Sequence, residues 1–321
     1  MPTRLPGRTN RAHSTIPRTL EIAAADGVPL AATLFVPADR PPAACALIAC
    51  AMGVRRARYG AFARFLASHG IAALTFDYRG IGDSARGPAR ASAATLTEWA
   101  EQDIEGLVEW LGRRYPDLPL LGIGHSIGGQ LFGIVPSVQR FSALFLVGAQ
   151  RGYAAYWRGF SRPLIAAFWR VLPAIVTVFG YLPMSVAGCE AIPPRVAREW
   201  QSWGLHPDFR DASGRSLSNR WGRFGGRLLS VSFEDDFFAA QAAVAALVHT
   251  YASARAEHLH FSPSDLRRET IGHSGFFVED VCPGLWHRVV RWLLESTIPD
   301  VTYRETCDRA AGTPFRVQRR A

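Results

Sequence analysis

A serine hydroxyl attacks a carbonyl at neutral pH when a neighbouring base takes its proton and a carboxylate orients that base. One stretch presents a serine in the form this chemistry needs: Gly124-His125-Ser126-Ile127-Gly128-Gly129. Its glycines permit a sharp strand-to-helix turn that lifts Ser126 out of the strand, and the Ile127 N–H can then face a developing oxyanion. Two later stretches could supply the partners. Glu234-Asp235-Asp236 follows the apolar run 228–233, and Gly272-His273-Ser274-Gly275 follows the short run 258–261. Serine, acid and histidine, each at a strand end, is one of the chain orders in which such a triad occurs. His125 is expected to pack beside the turn rather than act as a base. His258, His260 and His287 lack metal-ligand spacing. Cys45, Cys50, Cys189, Cys282 and Cys307 form no C-x-x-C pair. Neither a metal, a cofactor nor a disulfide framework is expected.

The elements that must position these groups are read from hydrophobic pattern. Largely apolar runs at 45–50, 71–76, 120–123, 143–147 and 228–233 read as strands, and 45–50, apolar throughout, reads as one buried on both faces. Helical patterns alternate with them. Tyr59, Phe62, Phe65 and Leu66 share one face, and a capping box at Thr95-Leu96-Thr97-Glu98 opens a helix carrying Ile104, Leu107, Val108 and Leu111. Residues 130–135 continue a helix out of the turn at Ser126, and 285–294 form a closing amphipathic helix. Residues 19–38 read as a hairpin around Asp26-Gly27. The glycine-punctuated loop 77–84 holds Asp77, Arg79 and Asp83, which are expected to brace loops under the site. Alternation of this kind implies an α/β fold with a mostly parallel sheet and helices on both faces.

The alternation breaks over 151–225, a segment rich in Trp, Phe, Pro and Arg and without a strand pattern. It reads as a helical cap insertion between core segments 19–150 and 226–298. Trp157, Trp169, Trp200 and Trp203 are expected to form its core. Within it, 163–187 is strongly apolar, but Arg170, Pro173 and Pro183 interrupt it. A buried or cleft-covering helical pair is therefore expected rather than a membrane span.

All 36 basic residues are arginine, against 27 acids, for a net charge of +9. The segments 1–18 and 299–321 are basic and read as disordered tails. Between Arg151 and Arg227, eleven arginines face Glu190, Glu199, Asp208 and Asp211. An arginine-only, alanine-rich composition discounts a nucleic-acid reading. The N-terminal stretch lacks the apolar core of a signal peptide, and a cytoplasmic location is expected. The expected partner is a small-molecule acyl substrate, with an anionic group as the match to the insertion's arginines.

Taken together, Met52-Gly53-Val54, residues 76–84, Gly124-His125-Ser126-Ile127-Gly128-Gly129, Phe233-Glu234-Asp235-Asp236 and Gly272-His273 resemble the α/β-hydrolase superfamily over about residues 20–297. Within it the chain is similar to bacterial hydrolases of the serine-aminopeptidase-like and monoacylglycerol-lipase-like group. That resemblance implies the α/β-hydrolase fold, Ser126 as nucleophile, Asp236 as acid and His273 as base. It implies cleavage of a carboxylic ester or thioester through an acyl-enzyme, with amide cleavage also within reach. The alternative is a catalytically silent member of the fold that binds a ligand or a partner. Two departures leave alternatives open. Phe233 stands where the acid's G-x-x-D pattern has glycine, so Asp235 competes with Asp236. Met52-Gly53 stands where the oxyanion loop has His-Gly, so the second oxyanion N–H belongs to Val54, the favoured residue, or to Met52.

Overall fold

The computed structural model describes residues 15–184, 188–211 and 213–297. Most of both basic tails, and Cys307 with them, lies outside the described residues. Eight strands form one sheet: β1 (Thr15–Ala23), β2 (Pro29–Pro37), β3 (Ala44–Ala49), β4 (Ile71–Phe76), β5 (Leu120–His125), β6 (Phe141–Val147), β7 (Arg227–Phe233) and β8 (Arg255–Phe261). Their spatial order is β1-β2-β4-β3-β5-β6-β7-β8. The β1–β2 and β2–β4 pairs are antiparallel and the others parallel. β3, β4 and β5 are buried at every position, which is why their sequences are largely apolar rather than alternating, with Thr75 and His125 the polar exceptions.

The helices are α1 (Gly60–Ser68), α2 (Leu96–Glu98), α3 (Glu105–Arg114), α4 (Ile127–Leu131), α5 (Ser161–Phe179), α6 (Pro194–Leu205), α7 (Gln241–Thr250) and α8 (Pro283–Glu295). The capping box forms as expected: Thr95 Oγ1 accepts from the Glu98 N–H, and Glu98 accepts from the Thr95 N–H. A π-helical stretch (Trp99–Ile104) joins α2 to α3. α1 and α8 pack on each other through Phe62 and Trp286, whose rings lie 5.1 Å apart.

Two sequence expectations need correction. Residues 15–18 belong to β1, not to a disordered tail. Pro17 does not prevent this, because β1 is the edge strand and a missing N–H costs an edge little. The helix after Ser126 is also shorter than expected. α4 tightens into a 3₁₀ turn (Phe132–Ile134), and Val135 is extended because Pro136 follows it.

The chain between β6 and β7 carries α5 and α6 and, among the described residues, the isolated bridges Leu182–Ile192 and Arg210–Ser216. The two helices meet through Trp169 and Trp200, with rings 4.8 Å apart at 90°. Side chains tie this insertion to the core. Glu199 accepts from the Leu96 N–H at 2.7 Å and the Thr97 N–H at 3.2 Å. Arg220 pairs with Glu101, and Arg55 pairs with Glu190. The Glu190 N–H donates to the Gly53 carbonyl at 2.7 Å, so the insertion rests on the loop after β3.

Candidate active site

The sheet order reverses between β3 and β5, and in open α/β sheets the crevice beyond the strand ends at such a point is where ligands bind. β3 and β5 are paired with Ala49 opposite Gly124. The loop 50–54 and the turn at Ser126 therefore leave the sheet side by side.

Ser126 sits at φ 53°, ψ −118°, a backbone conformation that side chains rarely adopt. Its own main chain holds it there: the Ser126 N–H donates to the Val147 carbonyl at 2.9 Å, and the Gly129 N–H donates to the Ser126 carbonyl at 3.0 Å. The close approach behind it requires glycine. A Cβ on Gly128 would lie 2.3 Å from the Ala49 carbonyl oxygen. Gly128→Ala must push α4 off β3. It is expected to destabilise the protein by about 1–3 kcal/mol, seen as a lower denaturant midpoint, with a larger fractional loss of activity than of folded protein.

Ile127 opens α4 directly after Ser126, so its N–H has no partner within the helix. Of the two N–H groups considered for a second oxyanion donor, that of Val54 is already bonded. Ala51 to Val54 form a tight turn with Gly53 at φ 68°, and the Val54 N–H is consumed by the Ala51 carbonyl at 3.1 Å. The Met52 N–H makes no hydrogen bond among the described residues and is the remaining candidate.

Asp236 is buried, and its carboxylate is committed on both oxygens. Oδ1 accepts from the Phe238 N–H at 2.9 Å and the Ala239 N–H at 3.0 Å. Oδ2 lies 2.7 Å from His273 Nδ1. Asp235 points elsewhere. Its Oδ2 accepts from the Ile271 N–H at 2.7 Å, the Gly272 N–H at 3.0 Å and Thr270 Oγ1 at 2.9 Å. Burial works against its charge, but these bonds outweigh burial and hold its carboxyl below its ordinary range. It clamps the loop that carries His273 and does not touch the ring.

His125 is fully enclosed, and burial, with His273 beside it, keeps its pKa well below 6.5, so it stays neutral. Its Nε2–H donates to the His273 carbonyl at 2.9 Å, which leaves Nδ1 to accept from the Tyr59 hydroxyl at 2.8 Å. The Tyr59 oxygen in turn accepts the Ala51 N–H at 2.8 Å. One chain of bonds thus connects the loop after β3, the turn at Ser126 and the loop of His273. Tyr59 carried no sequence signal for this beyond its place on an apolar helix face. Ser126 Oγ makes no hydrogen bond among the described residues.

Asp77, Arg79 and Asp83 brace loops. Asp77 and Asp83 pair with Arg56, and Arg79 pairs with Asp103 at 2.6 Å and Asp26 at 2.8 Å. His258 and His260 both contact Ser232 Oγ at 2.8 Å, on the sheet. No three His, Cys, Asp or Glu side chains among the described residues gather as a metal would need.

Beside the crevice, the insertion encloses an apolar cavity of about 170 Å³. Trp157, Phe168, Trp169 and Trp200 line it from one side and Phe237 and Phe238 from the other. The Phe238 ring lies 5.5 Å from that of His273. Three of the four tryptophans expected as core thus also wall a cavity. Trp203 does not line it; it packs against Phe209 and its indole N–H donates to the Arg210 carbonyl at 2.6 Å. The sequence signal for this wall is the adjacent pair Phe237-Phe238 directly after Asp236, both of which stay about half exposed.

The family model described as "Serine aminopeptidase, S33" matches residues 40–181, under half of the chain. No curated protein matches. Many solved structures do. A soluble variant of monoglyceride lipase from Saccharomyces cerevisiae, in complex with a substrate analog, is 16% identical at TM-score 0.68, covering 92% of this chain and 100% of that one. The esterase domain of a Rhodothermus marinus protein is 20% identical at TM-score 0.56, covering 87% and 98%. A Pyrococcus furiosus esterase is 16% identical at TM-score 0.59, covering 93% and 97%. At these identities the likeness is one of fold.

Proposed function

We propose that the chain is a serine hydrolase of the α/β-hydrolase superfamily that cleaves carboxylic esters of apolar acyl chains through an acyl-enzyme, a reading supported by the partial family match and the shared fold. The observation that carries this reading is the Asp236–His273 bond of 2.7 Å at the same strand-end corner as the strained Ser126. His273 Nε2 takes the Ser126 proton as Oγ bonds to the ester carbon. The carbonyl oxygen becomes an oxyanion on the Ile127 and Met52 N–H groups. Collapse expels the alcohol, which leaves with the proton from His273. A water, deprotonated by His273, then releases the acid and restores Ser126.

The acyl chain belongs in the aromatic cavity beside Phe238. No arginine lines that cavity, so an anionic group on the substrate would meet the insertion's cations only at its rim. A series of p-nitrophenyl esters tests this. Each methylene that enters the cavity is expected to raise kcat/KM about fourfold, at about 0.8 kcal/mol per buried CH₂. The rise ends once the chain outgrows the cavity. A fluorophosphonate probe that labels wild type but not Ser126→Ala supports the nucleophile. Absence of labelling and of turnover on every ester would leave a silent ligand-binding protein as the better reading.

A further inference from the structure

α5 is long and apolar enough to cross a membrane, yet it lies on the surface of the fold. Its inner face, Ile165, Trp169, Leu172 and Val176, is buried in the insertion. Its outer face is a second apolar stripe. Phe160, Leu164, Ala167, Val171, Ala174 and Val178 recur at helical spacing, and all are exposed. Phe160 is 83% exposed and Val178 78%. The stripe runs about 27 Å at 1.5 Å per residue. Isolated exposed apolar residues need no explanation, but a continuous stripe along a whole helix does.

The charges on this helix and just before it say what covers the stripe: Arg170 flanks it, and Arg158 and Arg162 stand at its N-terminal end. Residues 151–189 contain four arginines and no acid. Arg158, Arg162 and Arg170 are exposed and make no ion pair among the described residues. A second copy of the chain is a poor occupant. Two-fold pairing of the stripe would bring these arginines together with no acid on α5 to meet them. The geometry points to this face as a docking surface for an anionic lipid–water interface. α5 lies in the plane of such an interface and does not span it, because its inner face is already packed. The same helix lends Leu164, Ile165 and Phe168 to the apolar cavity, so docking brings lipid chains to the cavity's edge. Docking does not depend on the hydrolytic reading.

Flotation of the full chain with phosphatidylcholine vesicles, with and without phosphatidylglycerol, tests it. Wild type is expected to float with the mixed vesicles, less so as salt rises. Val171→Ser/Val178→Ser is expected to lower that binding roughly a hundredfold. Arg162→Gln/Arg170→Gln is expected to lower it about thirtyfold on the anionic vesicles and little on neutral ones. Both variants should keep the wild-type melting temperature and the wild-type rate on a short soluble ester. Ser126→Ala should float like wild type, which separates docking from hydrolysis. Wild type that ignores anionic vesicles, variants that bind as wild type does, or a wild-type dimer that the valine variant dissociates would each overturn the proposal.

Discussion

Replacing Ser126 by alanine is expected to cut ester turnover by at least about a thousandfold while leaving the fold intact. The fold is safe because the strain at this position lies in the backbone. The N–H and carbonyl of residue 126 keep their bonds to Val147 and Gly129, and alanine removes only a hydroxyl that has no partner among the described residues. Alanine tolerates φ 53° no better than serine does, so stability should change by less than about 1 kcal/mol. His273→Ala is expected to match the loss, because a nucleophile without its base and a base without its nucleophile fail together. The double variant should then be little worse than either single one. Turnover near wild type in both single variants, with the melting curve unchanged, would remove the serine mechanism.

Much of this arrangement was legible in the sequence, for physical reasons that differ by element. β3, β4 and β5 are buried on both faces, so their apolar runs admit few other readings. β1 is mostly exposed and holds Pro17, so its first residues look like tail. The turn at Ser126 is legible because its glycines answer local contacts: a Cβ on Gly128 would strike Ala49, and one on Gly124 would lie 2.5 Å from Gly129 Cα. The choice between Val54 and Met52 is not legible in the sequence, because they differ in whether the N–H closes a turn, which neighbouring residue types do not reveal. The Ala51–Tyr59–His125–His273 chain joins groups up to 148 residues apart and leaves no local signature. The face of α5 was half-read. Apolar on both sides, it signals burial, but the fold covers only one side.

The choice between Asp235 and Asp236 is where geometry adds most, and it yields the second large effect. Asp236→Asn is expected to lower kcat about ten-thousandfold, because an amide facing Nδ1 favours the wrong imidazole tautomer and cannot stabilise the imidazolium. The turn formed by Phe238 and Ala239 should survive, since the side-chain oxygen of Asn can still accept their N–H groups. Asp235→Asn acts differently. Asn keeps one acceptor for Thr270, Ile271 and Gly272 but loses the charge that strengthens all three bonds. A looser clamp lets the His273 loop wander, and small misplacements of a base cost up to about a hundredfold. The two variants should also differ in pH dependence. The Asp235 carboxyl lies below its ordinary range in the fold, so its clamp holds at and above the usual carboxylate pKa and is lost as pH falls through the lowered folded value. Wild-type activity should therefore fall at acid pH partly through this loop, and Asp235→Asn should lack that component while remaining slower at neutral pH. Asp236→Asn should be slow at every pH where the protein is folded. If Asp235→Asn proved the more damaging change at neutral pH, with Asp236→Asn within tenfold of wild type, the acid would have to be reassigned and the 2.7 Å bond to His273 would be structural.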